Sequence, residues 1–375
     1  MADRRVAESF PPSDFIKEEL EARNWSQTEL AEIMGRSAKE VSDLILGKRA
    51  ISLEIAKELA AAFGTSPQYW MNLESSYQLW RGEDVDNAIA RRARLYEVAP
   101  IKEMVKRHWL EPSENVAVLE KRVAQFFEVP SLDKPFSFPH AARRGTREIS
   151  PAHRAWLFRA KQFALAVHAR PFSAQSFKHG LSELKNLLAS VEEVRRVPEV
   201  LAEAGIRFLI IEHLPETRID GVAFWLDTKS PVIALSLRYD RIDCFWYTLA
   251  HELGHVQRVD VSRHKVMLDT DIVGEEVESV AEDAEKGADA FAAEFLVEQS
   301  RLDDFISRVG PLYGRQRILG FAKTVGIHPG IVVGQLQFRK EIPWSFFRPM
   351  LDKVRHIVIR SALTDGWGQV PPILN

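Results

Sequence analysis

The sequence predicts an α+β fold that is mainly α. Expected are an N-terminal five-helix bundle of the helix-turn-helix type, then a helical middle segment. A domain follows with a small antiparallel sheet and a long helix carrying His251-Glu252-Leu253-Gly254-His255. Three observations predict this. Apolar residues recur three and four apart through most of the chain, between Ser or Pro starts and Gly stops. Runs of β-branched and aromatic residues gather between Ile206 and Leu237. At 375 residues the chain exceeds one small core and suggests two or three domains. They are placed at 1–85, 86–195 (helical middle) and 196–300, with a C-terminal helical region at 301–375.

Residues 13–80 read as short helices joined by tight turns. Ser26-Gln27-Thr28-Glu29 is a capping box, in which Ser26 accepts from a free helical N–H while Glu29 reaches back. Leu30, Ala31, Ile33 and Met34 are expected to form that helix's inner face, and Gly35 to end it. Ser37-Ala38-Lys39-Glu40 is a second box, opening a helix with Val41, Leu44 and Ile45 inside and Gly47 after it. Ser52 caps the next, with Leu53, Ala56, Leu59, Ala60 and Phe63 inward and Gly64 as stop. Ser66-Pro67 starts another, with Pro67 where a missing N–H does no harm.

From about Asn87 to Val197 the pattern stays helical, broken near Pro100, Pro112 and Pro130–Pro139. Pro130–Gly145, rich in proline and arginine, reads as a linker or exposed loop. After Pro198 the pattern changes. Ile206–Ile211 reads as a strand, and Gly221–Leu226 with Pro231–Leu237 as a strand pair across Asp227–Ser230. A long helix is expected from about Asp240 and another from about Val277 to Glu298, followed by a helical tail.

Composition excludes several classes. No stretch approaches the roughly 20 unbroken apolar residues of a membrane helix. The first residues lack the apolar run of a signal peptide, and the single cysteine, Cys244, forms no intramolecular disulfide. The cytoplasm is the expected compartment. Net charge is only −3, but it is unevenly spread. Residues 1–75 hold 9 Lys/Arg against 13 Asp/Glu, residues 140–197 are basic by 11 to 4, and residues 269–304 are acidic by 13 to 2. A head that binds DNA therefore needs a dimer or the basic middle segment to supply phosphate attraction.

Two short helices joined by a Gly-containing turn suit a reader of the major groove. The second, opening at Ser37, would enter the groove with Lys39, Glu40, Ser42 and Asp43 outward. Gln27 and Lys48 would hold phosphates or base edges. A helical bundle that binds protein is the alternative. The wider string favours DNA: Trp25-Ser26-Gln27 through Gly47-Lys48-Arg49-Ala50-Ile51-Ser52, then Ser66-Pro67-Gln68-Tyr69-Trp70-Met71-Asn72-Leu73, resembles the HigA-type antitoxins. That resemblance covers about residues 10–80 and implies a dimeric DNA-binding module that represses its own operon and binds a toxin.

The most specific chemistry lies in His251-Glu252-Leu253-Gly254-His255. Residues i and i+4 share a helical face, so both imidazoles can address one ion, and Glu252 lies beside them. Neutral imidazoles suit Zn²⁺, and Glu252 is placed to act as general base. A catalytic zinc needs a third protein ligand. Six residues on stands Val261 rather than histidine, and His264 is at the wrong distance, so a glutamate from a later helix is expected. Glu275, Glu276, Glu278, Glu282, Glu285 and Glu294 are candidates. Glu285 is preferred, because Asp289 follows four residues later, where it can accept the free N–H of a ligating histidine. Val232–Leu237 is expected to be an edge strand able to hold a substrate peptide. His213, Tyr247 and His264 are unranked candidates for stabilising an oxyanion.

This helix, the strand pair before it, and Glu285-Lys286-Gly287-Ala288-Asp289-Ala290-Phe291-Ala292 resemble the ImmA/IrrE metallopeptidases. Their pattern sets a glutamate three residues before the first alanine of an Ala-Asp/Asn-x-Phe-Ala string; here that is Glu285. The acidic residue often found just before this alanine is Gly287 here. The resemblance spans about residues 195–300. It implies a zincin-like fold and a zinc-dependent endopeptidase with metal ligands His251, His255 and Glu285. It further implies that the enzyme cuts a partner regulatory protein, such as a repressor, or a toxin. The tail Phe321–Gln337 and Ala155-Trp156-Leu157 resemble members with a HigA-like head. The expected whole is thus a homodimeric, cytoplasmic DNA-binding regulator with a peptidase domain. The alternative is a non-catalytic antitoxin or repressor whose zinc domain only senses or binds.

Overall fold

The computed structural model describes residues 9–81, 87–132, 150–266 and 275–366, without the side chains of 87, 259–266 and 275–282. The expected linker Pro130–Gly145 lies outside the described residues from 133 on. The chain divides into two compact units, Met1–Ala90 and Arg91–Asn375. The stretches expected separately at 86–195, 196–300 and 301–375 therefore fold together, and only the head is a unit of its own. From Phe172 on they share one core, whose buried residues run through the sheet and the histidine helix to Val358. The earlier stretch is tied to it where Trp156 donates to the Ile211 carbonyl at 3.1 Å and Arg107 to the His213 carbonyl at 2.7 Å.

The first unit holds five helices: α1 (Pro12–Arg23), α2 (Gln27–Met34), α3 (Ala38–Ile45), α4 (Leu53–Phe63) and α5 (Pro67–Arg81). Their boundaries follow from the caps. Ser26 Oγ accepts from the Glu29 N–H at 3.2 Å while the Glu29 carboxylate accepts from the Ser26 N–H at 2.6 Å. Ser37 and Glu40 repeat the arrangement at 3.3 and 3.2 Å. Gly35, left-handed at φ 67°, stops α2 and turns the chain into α3. Ile16, Leu30, Val41, Leu44, Ile55, Leu59 and Trp70 close the core. Each such buried apolar side chain contributes about 1.5–3 kcal/mol. Ile33 and Leu53, expected inside, are exposed. With α2 turning about 100° per residue, Ile33 lies about 110° round from the middle of the Leu30–Ala31–Met34 stripe. Leu53 is the first residue of α4, ahead of the packed turns.

Helix α6 (Asn87–Val98) contains the boundary at Ala90, and the second unit continues with α7 (Ile101–Lys106), α8 (Val116–Phe126), α9 (Pro151–Ala166), α10 (Ala174–Leu187) and α11 (Val197–Glu203). Strands β1 (Arg207–Ile210), β2 (Gly221–Trp225) and β3 (Pro231–Leu235) lead into α12 (Ile242–Val266) and α13 (Glu275–Leu296). Helices α14 (Gln299–Val309), α15 (Arg315–Val325), α16 (Pro329–Phe338) and the one-turn α17 (Arg355–Val358) follow, with a short β4 (Leu363–Thr364) after them.

The sheet is mixed, which corrects the expected antiparallel one. Its order is β2-β3-β1-β4. The β2–β3 hairpin is antiparallel as expected, with Gly221 opposite Leu235 and Trp225 opposite Pro231. Strand β1 runs parallel to β3 and to β4. Consequently β3 is interior, paired on both sides and buried at every residue, and it is not the edge strand that was expected. The edge nearest the histidine helix is β2. Helix α12 packs under this sheet through Phe245, Trp246, Leu249, Ala250, Leu253 and Val256, all buried. Its opposite face is free to carry polar residues toward α13. Among the described residues, no helix is long and apolar enough to cross a membrane.

Candidate metal centre

Helices α12 and α13 lie unusually close. A β-carbon on Gly254 would come within 3.0 Å of the Ala288 backbone and 3.2 Å of the Phe291 ring. A larger residue would push the helices apart by a few tenths of an ångström, so glycine favours the approach that brings their polar faces together. His251 and His255, one turn apart on α12, set their Nε2 atoms 3.0 Å from each other. Glu285 of α13 reaches both, with Oε2 3.2 Å from His251 Nε2 and Oε1 3.6 Å from His255 Nε2. The three donor atoms all lie within 4.8 Å of one another. Ligands about 2.0–2.1 Å from one tetrahedral ion stand about 3.3 Å apart, so these separations fit a single Zn²⁺. Two imidazoles and a carboxylate are also the donor set such an ion takes in catalytic sites.

Asp289 occupies the place its spacing suggested. Its Oδ1 lies 2.9 Å from His251 Nδ1. With the Nδ1 proton directed at this carboxylate, His251 keeps the Nε2 lone pair for a cation. Tyr247, one turn before His251, donates its hydroxyl to the same Asp289 oxygen at 2.9 Å. The tyrosine thus braces Asp289, a role its i−4 spacing from His251 could have signalled. Burial pulls the His251 pKa down, yet the Glu285 hydrogen bond and the charges of Glu252, Asp289 and Glu285 outweigh it and raise it. The same negative field favours a metal cation. Glu252 is 2% exposed. It lies against the start of β2, where a β-carbon on Gly221 would come within 3.0 Å of Glu252 Oε1. Cys244 lies two turns earlier in the helix, where burial and the charge of Asp243 push its thiol up to about 12.

The other sequence candidates fall elsewhere. His213 sits on the loop after β1, where Arg107 donates to its carbonyl oxygen at 2.7 Å. The side chains of Glu275, Glu276, Glu278, Glu282, Val261 and His264 lie outside the described residues. Glu294 donates nothing to the cluster; its carboxylate accepts from the Gln299 N–H at 3.0 Å.

In the head, Gln27, Lys39 and Lys48 are exposed and Ser42 and Asp43 half-buried, along α2, α3 and the turn after it. Ser37 and Glu40 are engaged within the fold. Beyond the cap, Glu40 accepts from Arg49 at 2.9 Å and Arg36 at 3.2 Å. The Ser37 N–H, Arg49 and the Ser37 hydroxyl hold the Glu40 carboxyl down at about 2. Arg36 also binds Glu58, which ties α3 to α4.

Comparison with known proteins bears on this head. Residues 16–70 match the helix-turn-helix family HTH_3. The uncharacterized HTH-type transcriptional regulator YddM of Escherichia coli K12 is 38% identical over 89 residues, which are 24% of this chain and 95% of that protein. Antitoxin HigA-1 of Vibrio cholerae is 38% identical over 61 residues, 16% of this chain and 57% of that protein. A structure of Pseudomonas aeruginosa antitoxin HigA with the higBA promoter is 30% identical and covers 25% of this chain and 99% of its own, with a TM-score of 0.20. Through its first quarter, this chain belongs to the helix-turn-helix family of transcriptional regulators.

Proposed function

We propose that the chain is a DNA-binding regulator whose second unit is a zinc-dependent endopeptidase acting on a partner regulatory protein or toxin. The observation that carries the peptidase reading is the convergence of His251, His255 and Glu285 beside the buried Glu252. A zinc ion held by those three supplies Lewis acidity, which polarises a carbonyl and makes water a nucleophile near neutral pH. Glu252 accepts the proton from the attacking water and returns it to the leaving amine. Asp289, braced by Tyr247, keeps His251 in the required tautomer. The outer side of β2 offers backbone groups to an extended substrate, which would then run past Glu252 at Gly221. The test is metal content. About one zinc per chain after zinc supply is expected, and less than roughly a tenth rejects the reading.

The regulator half rests on the family and on the promoter that accompanies the Pseudomonas antitoxin. In this reading α3 enters the major groove of operator DNA in a homodimer, while Lys39 and Lys48 contact phosphates. Lys39→Ala and Lys48→Ala are each expected to weaken binding evenly across sequences. Each should also lower the slope of log affinity against log salt by about 1. Mobility shifts of the chain's own promoter at several salt concentrations measure both. Unchanged slopes would place the phosphate contacts elsewhere.

A further inference from the structure

Arg258 lies on α12 nearly one turn after His255, and α13 passes it at Gly287, two residues beyond Glu285. The guanidinium lies across that turn of α13. Its Nη1 donates to the Asp283 carbonyl at 2.6 Å and comes within 3.3 Å of the Ala284 carbonyl. Each carbonyl oxygen has two lone pairs, so it can accept this bond beside its own helical one. Only the bare backbone of Gly287 makes room. A β-carbon there would fall 1.7 Å from Nη1 and 2.8 Å from Cζ, so with any other residue the guanidinium must leave this position. Glycine inside a helix weakens it relative to alanine. The space that glycine leaves is filled by Arg258.

Glu285 is the donor whose position depends on two helices. The side chains of His251 and His255 are 11% and 13% exposed on one rigid helix, whereas Glu285 is 37% exposed on the other. Two contacts bracket it. On one side the α13 backbone at Ala288 rests on Gly254, and on the other Arg258 grips the carbonyls of Asp283 and Ala284.

We propose that Arg258 and Gly287 form a latch that sets α13 against α12 and so holds the Glu285 carboxylate at the histidine pair. Arg258 is thus a positioning residue for cation binding, and the proposal rests on the metal reading above. Supporting groups that orient a metal ligand typically matter 10–100-fold in affinity.

Gly287→Ala separates this role from plain structural support. Alanine is the better helix former, so the thermal unfolding of the metal-free chain should hold or rise. Zinc affinity, measured on the full chain by competition with a chromophoric chelator, should nevertheless fall about 10–100-fold. Arg258→Ala should weaken zinc equally. The double variant should be no weaker than either single one, because both remove the same interaction. Equal zinc affinity in wild type and variants, or additive losses in the double, would overturn the latch while leaving the metal centre standing. Absence of zinc from the wild type itself would overturn both.

Discussion

Glu252→Gln is expected to lower hydrolysis of the partner protein by about 10²–10⁴-fold, the range a positioned general base contributes. The substitution keeps size and shape at a position only 2% exposed, so packing against Gly221 survives. What it removes is the ability to take a proton from water and hand it to the departing amine. His251, His255 and Glu285 remain, so zinc content should match wild type, and the head's promoter binding should not change. Co-expression with a candidate partner protein, a HigB-type toxin or a second repressor, followed on a gel, gives the readout. Cleavage by the variant at the wild-type rate would remove Glu252 from the chemistry. No cleavage by either protein, with zinc and DNA both bound, would favour a regulator whose second unit only senses metal.

His255→Ala is expected to have the larger effect on metal binding, more than about a hundredfold, because it deletes a ligand where supporting groups alone account for 10–100-fold. The loss also reaches stability. A ligand at 1,000 times its Kd stabilises the folded state by about 4.1 kcal/mol. If Kd rises a hundredfold, the same zinc concentration is only ten times Kd and supplies about 1.4 kcal/mol. The zinc-induced rise in melting temperature of the second unit should therefore shrink strongly. The unfolding of the metal-free variant should change less, since His255 is not a member of the buried apolar core. A zinc-induced rise equal to wild type would take His255 out of the ligand set.

Whatever lies within a turn or two of helix is readable from the residues alone. Ser26 with Glu29 and Ser37 with Glu40 announced two capping boxes, Gly35 and Gly64 two helix stops, and all are present. The pairing of β2 with β3 was legible because five intervening residues allow only a hairpin. The i, i+4 spacing alone puts His251 and His255 on one face. Asp289, four residues after Glu285, was legible for the same reason.

Tertiary structure decided what depends on partners far along the chain. The fully apolar run Pro231–Leu235 fits an interior parallel strand as well as an edge, and only the pairing with Arg207–Ile210 fixed it inside the sheet. Arg36, in the turn between α2 and α3, binds Glu58 on α4, a partner 22 residues away that no local pattern announced. Glu285 stood among several equivalent carboxylates in an acidic helix. Spacing preferred it, but the approach of α13 to Gly254 is what carries it to the two imidazoles. The physical reason is common to all three. Helix caps and helical faces are set by bonds between near neighbours, whereas a strand's place in a sheet and a third ligand's place at a cluster follow from core packing.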